Sequence, residues 1–286
     1  MSQTDAAAGR AWSAENRIRA AAATAVVIGV LLFVGARVFA PVPDLPPLWS
    51  DPLTGMEFVL VRPGSFRMGT PPDEAQREEG ERLHTVQLTR AFYLGRYEVT
   101  QGEWQAVMGA NPSAFTDCGP RCPVETVSWF AVQEFIERLN ARSGLVFRLP
   151  TEAEWEYACR AGGSEAFGRS SSLSSRDANI HGDFPYNAPK GTFRGQPTPV
   201  GYFKPNPWGF YDMSGNVWEW MQDAHCPYPD GFVTDFVGEC ASERKVIRGG
   251  SWLFDGASAR CGLRYTHRPQ DDGYSLGMRL AKDGGT

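Results

Sequence analysis

Gly209-Phe210-Tyr211-Asp212-Met213-Ser214-Gly215-Asn216-Val217-Trp218-Glu219-Trp220 is the stretch on which the reading of this chain turns. It joins a glycine turn, oxygen-bearing side chains and large aromatics more densely than a chance run of sequence would. Arg248-Gly249-Gly250-Ser251-Trp252 and Leu276-Gly277-Met278-Arg279-Leu280 follow it in order. Three spaced motifs are a far stronger signal than one Gly-Asn or one Arg-Gly-Gly.

Around these motifs the composition describes a compact domain rich in loops and aromatic anchors, with Trp 9, Gly 31 and Pro 21 in 286 residues. The formal charge of −5, without a Lys/Arg run, leaves no electrostatic footprint for nucleic acid. Ala20–Ala36 carries no charge, and its extension past Arg37 to Ala40 reaches bilayer-spanning length. Arg10, Arg17 and Arg19 precede it whereas Asp44 and Asp51 follow, which places the N-terminus in the cytoplasm. The expected division is a cytoplasmic segment 1–19, a transmembrane signal anchor 20–40, a Pro-rich linker 41–55 and a folded domain 56–286 on the periplasmic or extracellular side. A cleaved signal peptide is the competing reading, and Pro41 after Val38-Phe39-Ala40 argues against it.

Six cysteines suit an oxidising compartment. Cys118 and Cys122 bracket a Gly-Pro-Arg turn, Cys226 with Cys240 would close a Pro/Gly-rich loop, and Cys159 and Cys261 remain. Spacing alone does not choose among the pairings that six cysteines allow. As a zinc site, Cys118-x-x-x-Cys122 lacks a second ligand pair.

Residues 56–69 alternate around Pro63-Gly64 and predict an opening hairpin, while the acidic run 71–83 reads as a solvated loop. Phe92–Val99 predicts a strand. Thr100 and Glu103 form a capping-box pair ahead of a short helix ending near Met108. From Ser128 to Gly144, Trp129, Val132, Phe135, Ile136 and Leu139 recur on one helical face as core. A second capping box, Thr151 and Glu154, starts a helix over 152–160 with Trp155 and Cys159 on one side. Beyond Gly162, strand-length runs alternate with turn clusters, and no solenoid or propeller repeat is present.

These motifs, with FVLVRPGSFRMG, FYLGRYEVTQGEW, PVETVSW, FRLPTEAEWEYACR and SLGMRLA, resemble the formylglycine-generating enzyme or sulfatase-modifying factor family over most of the chain after residue 55. The resemblance implies an α+β fold, the family's variant of the C-type lectin fold. It implies a calcium ion on the side chains of Asp212 and Glu219 and the carbonyls of Gly215 and Val217, an oxygen set that suits a hard cation. The bland alternative has Asp212 capping a turn and Glu219 in a surface ion pair. A second calcium site would begin at Asn179-Ile180, although 188–192 offers no acidic partner. A Cys159–Cys261 disulfide is implied in the same way.

One departure bears on function. The family's copper(I) chemistry uses two cysteines shortly after Gly-Gly-Ser, and here Trp252–Arg260 contains none, with Phe254 at the first position. Thiolates select copper(I), so no copper is expected. Family members with histidine-bound iron need clustered histidines, whereas His84, His181, His225 and His267 are scattered.

Two functions follow. The first is an oxidoreductase or protein-modifying factor with altered chemistry, its catalytic candidates Ser251, Tyr265 and His267, with Arg248 and Arg264 as anion clamps and Trp252 as a platform. No nucleophile elbow surrounds Ser251. In the bland reading Arg248 pairs with a carboxylate and Trp252 is core. The second is a non-catalytic, calcium-stabilised, lectin-like module that binds a peptide, protein or glycan.

Overall fold

A computed structural model describes residues 45–284. The expected cytoplasmic segment and membrane anchor lie outside them, and among the described residues no helix is long and apolar enough to cross a membrane.

Ordering begins earlier than the linker reading expects. Strand β1 (Leu48–Ser50), inside 41–55, pairs antiparallel with β2 (Glu57–Val61), because Trp49 packs its ring 5.4 Å from Phe58 and anchors this stretch on the core. The sheet continues through β5 (Phe92–Gly95), β12 (Ala281–Asp283) and β6 (Phe147–Arg148), in the order β1-β2-β5-β12-β6. The last described strand thus lies between two strands far earlier in the sequence.

β3 (Gly64–Met68) does not pair back on β2. It pairs with β4 (His84–Leu88), which lies parallel to β8 (Phe232–Thr234), so the expected hairpin is a sheet-switching corner. A Cβ at Gly64 would sit 2.1 Å from the Tyr157 hydroxyl, so the backbone at the start of β3 is pressed against that phenol instead of folding onto β2. The third sheet, β10-β9-β7-β11, joins β7 (Trp218–Ala224), β9 (Lys245–Arg248), β10 (Tyr265–His267) and β11 (Leu276–Gly277). It carries all three diagnostic motifs.

The helices start and stop where local chemistry dictates. Helix α1 (Gln101–Met108) has the full Thr100/Glu103 capping box, and α3 (Glu152–Arg160) has that of Thr151/Glu154. Helix α2 (Trp129–Ser143) is N-capped by Ser128 and ends at Gly144 in the left-handed conformation. α2 buries Val132, Phe135, Ile136 and Leu139, each contributing about 1.5–3 kcal/mol by burial, and stacks Phe135 on Trp104 of α1 at 4.9 Å. Disulfides join Cys118 to Cys122, Cys159 to Cys261 and Cys226 to Cys240.

Candidate functional site

The segment after β9 passes through Gly249 and Gly250 to Ser251 and Trp252, and β10 returns beside it with Tyr265 opposite Ile247. This topology brings four of the six candidate pocket residues near one surface. Trp218 of β7 stacks on Tyr265 at 5.7 Å and meets Phe254 edge-on at 5.6 Å. Tyr265 is 46% exposed, and His267 beside it lies 3.5 Å from Asp271. Trp252, largely buried, is ringed by Phe115, Phe193 and Tyr274. The result is an aromatic face, with Phe254 at the place where the family resemblance expects a cysteine.

Two of the candidates point elsewhere. Arg248 and Arg264 are buried and engaged with carboxylates of α3, so neither is an anion clamp. Arg264 makes a fork on Glu152, Nε to Oε1 at 2.7 Å and Nη2 to Oε2 at 2.8 Å, with its guanidinium 3.8 Å over the Tyr228 ring. Arg248 donates to Glu156 and to the carbonyls of Cys261 and Leu263. Burial alone would raise Glu152, but the Arg264 and Arg248 charges outweigh it and hold the carboxyl below its usual value. Ser251 is fully buried and its hydroxyl accepts from Leu253 N, which suits a turn hydroxyl better than a nucleophile. The run 71–83 is mostly exposed, as a solvated loop should be, with one exception. Glu81 is buried there, paired with Arg260 at 2.8 Å, because the guanidinium, itself buried, requires a carboxylate.

The proposed ion-binding loop packs beneath the same face. Asp212 (φ 55°) and Asn216 (φ 65°) both adopt left-handed backbone, and so does Gly215 at φ 98°. A Cβ on Gly215 would lie 2.5 Å from the Asn179 carbonyl, so only glycine admits this approach. Asn216 N donates to that carbonyl at 2.8 Å, which joins the Asn179-Ile180 segment to the loop.

Glu219 is fully buried, so its ion pair is not a surface one. Arg279 Nη2 reaches its Oε1 at 2.7 Å, and Trp155 Nε1 donates to its Oε2 at 2.7 Å. Glu98, which the sequence reading left without a role, accepts from Asn216 Nδ2 at 2.7 Å and Val217 N at 3.1 Å. Burial, then Asp212 and Glu219, push the Glu98 carboxyl well above its ordinary value. Burial also lifts Asp212 to about 6, against the Gly201 amide and Arg279. Glu98, Asp212 and Glu219 therefore share the guanidinium of Arg279, an arrangement a hard cation would relieve. Among the described residues no three His, Cys, Asp or Glu side chains are grouped as a metal site, so such an ion would lean on main-chain carbonyls. Asn179 Oδ1 is buried without a hydrogen-bond partner among the described residues, as a second oxygen ligand would be.

Arg279 carried one sequence signal, a lone charge within the otherwise uncharged run 276–280, whereas Glu98, two residues from Arg96, carried none. Trp218 Nε1, also buried without a partner, carried none.

Among the described residues, mixed sheets, three α-helices and a glycine-turned loop against an aromatic face define a loop-rich α+β domain of the formylglycine-generating-enzyme type. The chain belongs to the family described as the sulfatase-modifying factor enzyme 1-like domain, which matches residues 48–284. It is 28% identical over 287 residues to the formylglycine-generating enzyme of Bos taurus, across 79% of this chain and 75% of that protein. The chaperone protein LppX of Paenibacillus barcinonensis is 34% identical over 206 residues, 57% of this chain and 69% of its own. Among solved structures, Treponema denticola variable protein 1 superposes with a TM-score of 0.73 at 27% identity, over 83% of this chain and 99% of that one.

Proposed function

We infer that this chain is a non-catalytic recognition member of its family, held on the extracytoplasmic side of a membrane by the 20–40 segment, that binds a peptide or protein segment on the aromatic face around Phe254. The observation that carries this reading is the fate of sulfur: all six cysteines are in disulfides, and by the family resemblance Phe254 takes the position of the first copper-binding cysteine. Copper(I) then has no soft ligand pair at that place. Exposed Tyr265 and Tyr274, flanking Trp218 and Trp252, supply the amphipathic contact area typical of recognition surfaces.

Calcium is the proposed structural ion. Asp212, Glu219 and the Gly215 and Val217 carbonyls would hold it, with Asn179 and Ile180 at a second position that lacks an acid. The ion would neutralise the excess buried negative charge shared with Glu98 and hold the loop under the aromatic face. The fit is partial, because Glu219 already spends both oxygens on Arg279 and Trp155.

The second reading is an oxidoreductase or protein-modifying factor with altered chemistry. It is favoured by the His267–Asp271 contact beside Tyr265, an imidazole suited to proton transfer. A peptide-display selection on the full chain decides between them. Recognition is supported if selected peptides bind unmodified and lose affinity in Tyr265→Ala. It fails if the bound peptides emerge covalently changed.

A further inference from the structure

A cavity of about 490 Å³ opens between β3 and the C-terminal end of α3, and none of its lining residues belongs to the aromatic face. Its walls are aromatic. Phe66 and Tyr157 lie 5.1 Å apart, and Trp208 stands edge-on to Tyr157 at 4.9 Å. Besides these rings the lining includes residues that carry donors: Ser65, Arg67, Ser164 and Tyr157. The Arg67 side chain is exposed and has no ion-pair or hydrogen-bond partner among the described residues. Burial raises Tyr157, so its hydroxyl stays a donor at neutral pH.

The charge balance sets the ligand class. No lining residue is acidic, and the second cation of the wall, Arg160, is spent on Glu156 at 2.8 Å and the Gly69 carbonyl at 2.6 Å. Among the lining residues the Arg67 charge is therefore unopposed, at the edge of a space of the size that takes small ligands. A bare phosphate would use the arginine and waste three rings. A flat aromatic carboxylate would use the rings and leave the hydroxyls of Ser65, Ser164 and Tyr157 desolvated without acceptors. A pyranose bearing a carboxylate uses all of them: its C–H face against the rings, its hydroxyls on the serines and phenol, its carboxylate on the guanidinium.

We propose that the cavity between β3 and α3 is a binding site for an acidic sugar, with Arg67 reading the carboxylate and Tyr157, Trp208 and Phe66 holding the ring. The test is calorimetric titration of the full chain with methyl β-D-glucuronide, methyl β-D-glucoside and phenylacetate. The glucuronide is expected to bind about tenfold or more tighter than either other probe. Arg67→Ala, at an exposed position and with an unchanged circular dichroism spectrum, is expected to remove that preference while leaving glucoside affinity as it was. Equal affinity for the two sugars, preference for phenylacetate, absence of heat from all three, or an Arg67→Ala titration like that of the parent would each overturn the proposal.

Discussion

Glu219 and Arg279 form a fully buried pair, Arg279 Nη2 lying 2.7 Å from Glu219 Oε1 while its Nη1 donates to the Gly95 carbonyl at 2.9 Å. The pair ties β7 to the chain just before β12, and so links the sheet that carries the aromatic face to the sheet that holds both ends of the described chain.

Breaking that pair from the Glu219 side takes away the carboxylate in direct contact with a buried guanidinium and leaves it only the more distant charges of Glu98 and Asp212. Glu219→Gln is expected to lower unfolding free energy by about 3–5 kcal/mol, with Arg279 left buried. Urea denaturation at neutral pH measures it, and a loss of under about 1 kcal/mol would show that the pair is not desolvated in solution.

Calcium removal tests the ion loop. If Asp212 and the Gly215 and Val217 carbonyls hold calcium, excess chelator lowers Tm and added calcium restores it in a concentration-dependent way. Asp212→Ala is expected to abolish that response. A Tm that ignores both chelator and calcium would refute the ion.

The three disulfides differ in loop length, so the chain-entropy model ranks them. Cys159–Cys261, with a sequence separation of 102, is expected to contribute about 4.7 kcal/mol, against about 2 kcal/mol for Cys118–Cys122 with a separation of 4. Paired Cys→Ala variants compared by chemical denaturation check the order.

Asp223 gives the fold a pH dependence. Burial first, and Glu152 second, push its carboxyl up to about 7, against the Gly238 and Glu152 amides at 2.6 and 2.8 Å. In the unfolded chain the value returns to about 3.9. The folded state thus keeps a proton that the unfolded state has lost, and the associated stability, full below about pH 4, disappears as pH rises through about 7. The urea midpoint is expected to fall between about pH 4 and pH 7. The fall is expected to be shallower in Asp223→Asn, and parallel profiles would contradict the assignment.

What the sequence made legible was chiefly local. Thr100 with Glu103, and Thr151 with Glu154, sit three residues apart, so both capping boxes could be read directly, and the apolar face of α2 repeats within one helix. Partner choice over long separations was not legible. Arg248 pairs with Glu156 across 92 residues and Arg264 with Glu152 across 112, and nothing near either arginine distinguishes a core ion pair from an anion clamp. The same limit turned a sheet-switching corner at Pro63-Gly64 into an expected hairpin: alternation reports that strands exist but not which sheet each joins. The Cys159–Cys261 pairing came from family resemblance, since spacing alone left it open. Phe254 was found because an expected residue type was missing.

The central claim, that Phe254 stands where oxidation would require sulfur and the face around it recognises instead of oxidising, meets its most direct test in one incubation. The full chain is mixed with copper(I), oxygen and a cysteine-containing sulfatase-derived peptide, and the peptide is examined by mass spectrometry for an aldehyde. The expected result is a peptide whose cysteine is intact. Aldehyde formed in proportion to the amount of this protein, and absent without it, would contradict the account.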